Sequence, residues 1–143
     1  MRTVIAASVD VDATVDEVWR GLTDWTGQSS WMPFTSVEVM GDADRDSGVG
    51  TRLRAVTGVG VAAVVDEMEV DRWEPPYRCD VRHDGRLVRG RGVFRVESLG
   101  PGRTRLTWEE HLDGRVARVG AVVGRRMLSI ALRRFARRLP AAG

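Results

Sequence analysis

Three ionisable residues, Asp66, His83 and Glu110, fall at strand positions whose alternate neighbours are apolar. Successive side chains of a strand point to opposite faces, so residues two apart share one. Asp66 alternates with Val64, Met68 and Val70, His83 with Tyr77, Cys79 and Val81, and Glu110 with Leu106, Trp108 and Leu112. Glu109 and His111 take the opposite face of their strand. Carboxylates and an imidazole drawn into an apolar interior need partners or shift toward neutrality. Close together, they could hold a polar head group or carry out acid–base catalysis. The alternative is structural: His83 adjoins a hairpin where its ring can face water, and one bulge reverses the faces of a strand.

No other catalytic signature competes with this group. The sequence has no nucleophile elbow, no glycine-rich phosphate loop and no Cys/His pattern at zinc spacing. Any catalysis is therefore expected to be acid–base, free of metal and without a cofactor. Gly58-Val59-Gly60 is too short for a dinucleotide fingerprint, and the single cysteine, Cys79, reads as an inert core thiol.

A second set of residues suggests a cavity beside these groups. In the stretch 86–98, Val88, Gly90, Gly92, Phe94 and Val96 form the apolar face, while Arg89, Arg91 and Arg95 face water. Two mid-strand glycines weaken packing and mark a bend or a close approach. Toward the C-terminus, Gly120, Gly124 and Ala131 share a helical sector with Val123 and Met127. A helical glycine costs about 1 kcal/mol relative to alanine, so such a face makes room for something or packs unusually close. The expected lining is Trp31, Met32, Phe34, Met68, Val88, Gly90, Gly92, Phe94, Trp108, Gly120, Val123 and Met127, around an apolar space of a few hundred Å³. Trp31 beside Met32 on a loop is an adaptable pair suited to gating such a space.

The elements that must position these residues follow from patterning. Val4 to Val11 is a first strand, and Thr14-Val15-Asp16-Glu17 is a capping box opening a helix with Val15, Val18, Trp19 and Leu22 on its apolar stripe. Residues 26–30 break that helix, and Trp31 to Phe34 resume it. Six strands are expected at 35–41, 50–58, 61–72, 77–84, 86–98 and 103–113, with His83-Asp84-Gly85-Arg86 the clearest two-residue hairpin. Such short connections require antiparallel pairing. From Arg115 to Leu139 the period changes to that of one long amphipathic helix, ended by Pro140. Arg134 and Arg138 fall inside its apolar sector, where they either overrun the sheet or cap the cavity. The fold class is α+β: an antiparallel sheet of about seven strands, two short helices after the first strand and a long C-terminal helix, one domain over residues 1–143.

Composition sets the broad limits. The chain has 143 residues, 43% of them hydrophobic, which excludes a disordered chain, and no apolar run approaches the length of a membrane span. Asp10 and Asp12 cut the N-terminal apolar stretch too short for a signal peptide, so a cytoplasmic location is expected. All 22 basic residues are arginine. Eight follow Asp113 without one acid among them, whereas residues 1–113 carry a net charge of −6. The simplest reading is a solvated helix face that pairs with the acidic body. Only Phe135 interleaves these arginines, too little aromatic surface to stack on bases, so no specific nucleic-acid partner is expected.

With these residues in this order, the chain resembles the START/Bet v 1-like superfamily, in its bacterial polyketide cyclase/dehydrase-like branch. The resemblance is carried by Thr14 to Trp19, Leu22-Thr23-Asp24-Trp25, Trp31-Met32-Pro33, Gly48 to Arg52, Trp73-Glu74-Pro75-Pro76, Gly102 to Glu109 and the final helix. It implies a helix-grip fold, a curved antiparallel sheet wrapped around the long C-terminal helix with an internal cavity, and relatives that include lipid carriers, quinone binders, aromatase/cyclases and toxin-like proteins. Fold alone chooses among none of them. The leading expectation is binding of a hydrophobic small molecule, whether lipid, polyketide or quinone-like, by a monomer or homodimer. The alternatives are a cyclase using Asp66, His83 and Glu110, and an interaction protein acting through the arginine-rich helix. Convergence of the three ionisable groups would favour the enzyme, a dry apolar pocket the carrier.

Overall fold

Thr14 starts the first helix as its pattern requires, its Oγ1 accepting from the Glu17 amide at 3.2 Å. In this computed structural model, which describes residues 2–41, 48–114 and 121–139, strand β1 (Arg2–Val11) leads into helix α1 (Val15–Thr23). There follow β2 (Thr35–Met40), β3 (Arg52–Thr57), β4 (Val64–Glu74), β5 (Arg78–Asp84), β6 (Arg89–Gly100), β7 (Arg103–Asp113) and helix α2 (Ala121–Arg138). The strands form one sheet in the order β1-β7-β6-β5-β4-β3-β2, every neighbouring pair antiparallel. Strands β2 to β7 are neighbours in chain order, and β1 pairs with β7, so β1 and β2 form the two edges. One face receives α2, and this is the helix-grip arrangement.

The core lies between that face and the helices. Val18, Trp19 and Leu22 of α1 are buried, and Trp19 meets Trp73 edge-on at 5.0 Å between centroids. On α2 the buried stripe is Leu128, Ala131, Leu132 and Phe135, the i, i+3, i+4, i+7 spacing of one helix face.

Several local expectations are corrected. Residues 26–30, read as a break, form a 3₁₀ helix, and residues 31–34 form the turn into β2. The β5–β6 connection spans four residues, 85–88, because Asp84 pairs with Arg89. Gly85 is not among the positive-φ glycines, so the two-residue type I′ turn, which needs positive φ at both central residues, does not form. Val88 consequently leaves the strand for the loop. On α2, Val123 and Ile130 face outward at 67% and 43% exposure, so the wheel is rotated toward Leu128 and Leu132. The first residues of the expected helix, 115–120, Gly120 among them, lie outside the described residues.

Candidate functional site

Between the sheet and α2 lies a cavity of about 170 Å³, smaller than the few hundred Å³ expected. Its floor comes from the sheet: Leu53, Ala55 and Thr57 of β3, Asp66 and Met68 of β4, Val81 and His83 of β5, Phe94 of β6, and Trp108 and Glu110 of β7. Met127, Leu128 and Ala131 of α2 cover it, and the segment from Trp25 to Val37 forms one side. Most of this surface is apolar. The charged side chains among the described lining residues are Asp66, His83 and Glu110.

These three are joined in one hydrogen-bonded chain. His83 Nδ1 lies 2.9 Å from both Asp66 carboxylate oxygens, and His83 Nε2 lies 2.8 Å from Glu110 Oε2. Glu110 Oε1 accepts from the Trp108 indole at 2.7 Å. His83 and Glu110 are buried, and the Asp66 side chain is 19% exposed. The face assignments made from alternation hold for all three. The one irregularity in β4–β5 pairing falls between Val70 and Arg72, beyond Met68 and its partner His83, and leaves Asp66 in phase.

The sheet's register explains how strands that are not neighbours meet. His83 pairs with Gly90 and Glu110 pairs with Gly92, so β6 runs between them. Neighbouring strands lie about 4.8 Å apart, and any side chain on β6 at this point would stand between imidazole and carboxylate. A Cβ at Gly92 would approach Glu110 Oε1 to 3.1 Å and Val81 Cγ2 to 2.9 Å. Gly90 has φ +135°, and a Cβ there would sit 1.9 Å from the His111 carbonyl oxygen. Gly92 therefore leaves open a lane across β6 through which His83 reaches Glu110, while Gly90 lets β6 lie close against the β7 backbone.

Charge follows geometry. Burial alone would pull the His83 pKa down, but hydrogen bonds and charge from Asp66 and Glu110 outweigh it and raise the value to about 10. His83 is thus an imidazolium at neutral pH, donating from both nitrogens. Cys79 is buried, and desolvation pushes its thiol up to about 12, so it is inert. Among the described residues no group of three or more His, Cys, Asp and Glu is placed to hold a metal ion.

Of the residues expected to line the cavity, Met32, Met68, Phe94, Trp108 and Met127 do so together with the charged trio. Gly92 lies under the Glu110 carboxylate. Trp31 is buried instead between Trp108 and Phe135, at 6.2 and 5.1 Å, which fixes it in the core and removes it from a gating loop. Phe34 is 75% exposed and holds a positive φ of 53° that turns the chain into β2. Val88 sits in the β5–β6 loop, and Val123 faces outward. Gly124 packs against β1, where a Cβ would meet Ile5 Cδ1 at 2.9 Å, so it serves close contact and makes no space.

Sequence reasoning missed Gln28, Thr35, Val37, Leu53, Ala55 and Thr57. Thr35 and Thr57 are register partners with hydroxyls 3.0 Å apart, and the signal for them was the β2–β3 pairing itself. Leu128 and Ala131 follow once the helix is rotated.

Among the described residues, the expected pairing of α2 with the acidic body is not seen. Several of the body's acids are taken by its own arginines across the outer face: Arg52 and Arg82 with Glu69, Arg91 with Asp71, Arg78 with Asp80, Arg95 with Glu109 and Arg105 with Asp10. Among the described residues no ion pair reaches Arg125, Arg126, Arg133, Arg134, Arg137 or Arg138. Arg134 is half-buried and Arg138 exposed.

Comparison with known proteins places this geometry. The family described as polyketide cyclase/dehydrase and lipid transport matches residues 2–142. Among solved structures, the Zhui aromatase/cyclase from Streptomyces sp. R1128 superposes with a TM-score of 0.75 at 23% identity, covering 100% of this chain and 99% of that one. A START superfamily protein from Mycobacterium smegmatis superposes with a TM-score of 0.77 at 15% identity, covering 95% and 98%. The Aha1 dimer from Colwellia psychrerythraea gives 0.73 at 13% identity, covering 99% of each chain. At these identities the likeness is one of fold. No curated protein matches the chain in sequence. No helix among the described residues is long and apolar enough to cross a membrane.

Proposed function

Because the chain belongs to the polyketide cyclase/dehydrase and lipid transport family, we propose that it binds a small, mainly hydrophobic molecule between the sheet and α2, with the molecule's polar end at Asp66, His83 and Glu110. The observation that carries this reading is an apolar cavity with a buried charged cluster on one wall. A buried ion cluster is poor value as a stabilising device, since well-packed apolar groups of the same volume usually do as well or better. On a cavity wall it supplies the few placed polar groups that orient a ligand. The cavity is of the size that takes up a single ring, since a void of roughly 150 Å³ accommodates benzene. Native mass spectrometry of freshly purified protein tests the reading. A co-purifying small molecule that is lost from an Ala131→Leu variant supports it, and a mass equal to the bare chain under every condition, with no uptake of added aromatic molecules, counts against it.

A second reading, acid–base catalysis of the cyclase or dehydrase type, is favoured by the convergence of three ionisable groups, the sign set for an enzyme. The geometry divides the labour within it. With a pKa of about 10, His83 can donate a proton but is almost never free to accept one at neutral pH, and a general base works best with a pKa near the working pH. Proton abstraction would fall to Glu110 or Asp66, with His83 supplying the proton to a developing oxyanion. Glu110→Gln and His83→Ala should each then lower turnover of a poly-β-keto substrate by about 10²–10⁴-fold. A change below about threefold in both would leave binding alone.

A further inference from the structure

The charge of the cluster limits what kind of polar end the cavity accepts. Resting on the binding reading above, we propose that the cavity selects molecules whose polar end donates hydrogen bonds, a phenolic hydroxyl or an ammonium group, and rejects carboxylates and other anions.

Two carboxylates and one imidazolium leave the wall with one negative charge in excess. The chain has 22 arginines, yet none is among the described residues that line the cavity. The one lining cation, His83, has both nitrogens turned to Asp66 and Glu110, which leaves no ring N–H for a ligand anion.

Most of the neutral donors nearby are also committed. The Trp108 indole donates to Glu110 Oε1, the Thr35 hydroxyl to the Pro33 carbonyl, and the Thr57 hydroxyl is left to donate to Thr35 Oγ1 at 3.0 Å. Gln28 Nε2 donates one of its two N–H groups to the Leu22 carbonyl. What remains open toward the cavity is acceptor capacity, because each carboxylate oxygen has a second lone pair beyond its bond to His83 or Trp108. A ligand hydroxyl or ammonium completes these acceptors. A ligand carboxylate meets like charge in a poorly screened site and finds no free charged donor among the described lining residues to offset its lost hydration. The aromatic lining of Phe94 and Trp108, whose rings lie 5.1 Å apart, suits a flat apolar body and attracts a cationic end.

The test uses three single-ring probes of matched size, 4-methylphenol, benzylamine and benzoate, titrated into the whole chain at pH 7. Binding is followed by calorimetry and by ligand-detected NMR. The phenol and the protonated amine should bind at least about tenfold more tightly than benzoate. In Glu110→Gln and in Asp66→Asn, which remove one negative charge each, the preference for the amine over benzoate should narrow to within about threefold, with thermal unfolding as a check that each variant folds. If benzoate binds as well as the other two to the folded wild type, charge selection is wrong while the cavity reading stands. If none of the three binds, both are wrong.

Discussion

The His83 imidazole and the Glu110 carboxylate meet at 2.8 Å from strands β5 and β7, across a strand that contributes no side chain between them. That contact depends on Gly92, since a Cβ there would press on Glu110 Oε1 and on Val81 Cγ2. Gly92→Val should therefore push the carboxylate off the imidazole and cost about 1–3 kcal/mol by overpacking. Denaturant unfolding reads the cost, and His83 ring NMR reads the lost contact. A variant as stable as the wild type with an unchanged His83 signal would contradict the lane across β6. Gly90→Val should be worse, because its Cβ would collide with the backbone at His111.

The proton on His83 makes stability depend on pH in a definable window. The folded-state pKa is about 10 against an ordinary value of 6.5, so the folded protein holds this proton more tightly than the unfolded chain does. The resulting stability is fully present below about pH 6.5 and is lost as pH rises toward 10. Its size is on the order of a few kcal/mol. The difference in unfolding free energy between wild type and His83→Gln should shrink steadily from pH 6.5 to 10, a comparison that cancels the thiol of Cys79. A difference that stays flat over this range would mean that His83 is not held as a cation.

Filling the cavity should remove binding without unfolding the chain. Ala55 and Ala131 are buried and line the space from opposite sides. Ala55→Leu and Ala131→Leu add three carbons each into a void of about 170 Å³, so cooperative unfolding should persist within about 1–3 kcal/mol of wild type. Uptake of 4-methylphenol should fall below detection. Binding of undiminished affinity in both folded variants would put the ligand elsewhere.

The outer face of α2 should bind polyanions weakly and without sequence preference. Its arginines have no ion pair among the described residues, and exposed Val122, Val123 and Ile130 offer no aromatic platform for bases. Attraction that does occur should fall steeply with salt, through counterion release. Titration with labelled RNA and DNA at two salt concentrations checks this. Submicromolar, sequence-dependent binding that resists salt would instead promote the interaction role.

Much of the site was legible in the sequence because strand alternation is a strict rule. It placed Asp66, His83 and Glu110 on inward faces and set Glu109 and His111 outside, where Glu109 pairs with Arg95. It could not tell that Gly92 serves the His83–Glu110 contact, since that follows from register, and register follows from the loop at 85–88. The helix was harder. Val122, Val123, Ile130 and the sector of Leu128 are all apolar, so hydrophobicity alone left the wheel uncertain by about one residue. The contact of Gly124 with Ile5 decides it. Trp31 was misjudged because a bulky side chain in a turn can face either way, and here Phe135 draws it inward.

The most direct test of ligand binding at the charged cluster is a two-dimensional ¹H–¹⁵N NMR titration of the wild-type chain with 4-methylphenol. Binding at the proposed place shifts the amides of His83, Gly92, Glu110 and Ala131 together with the Trp108 indole N–H, and saturates. Shifts that are absent, that scatter without saturating, or that centre on Val122 to Arg133 of the outer helix face would contradict it.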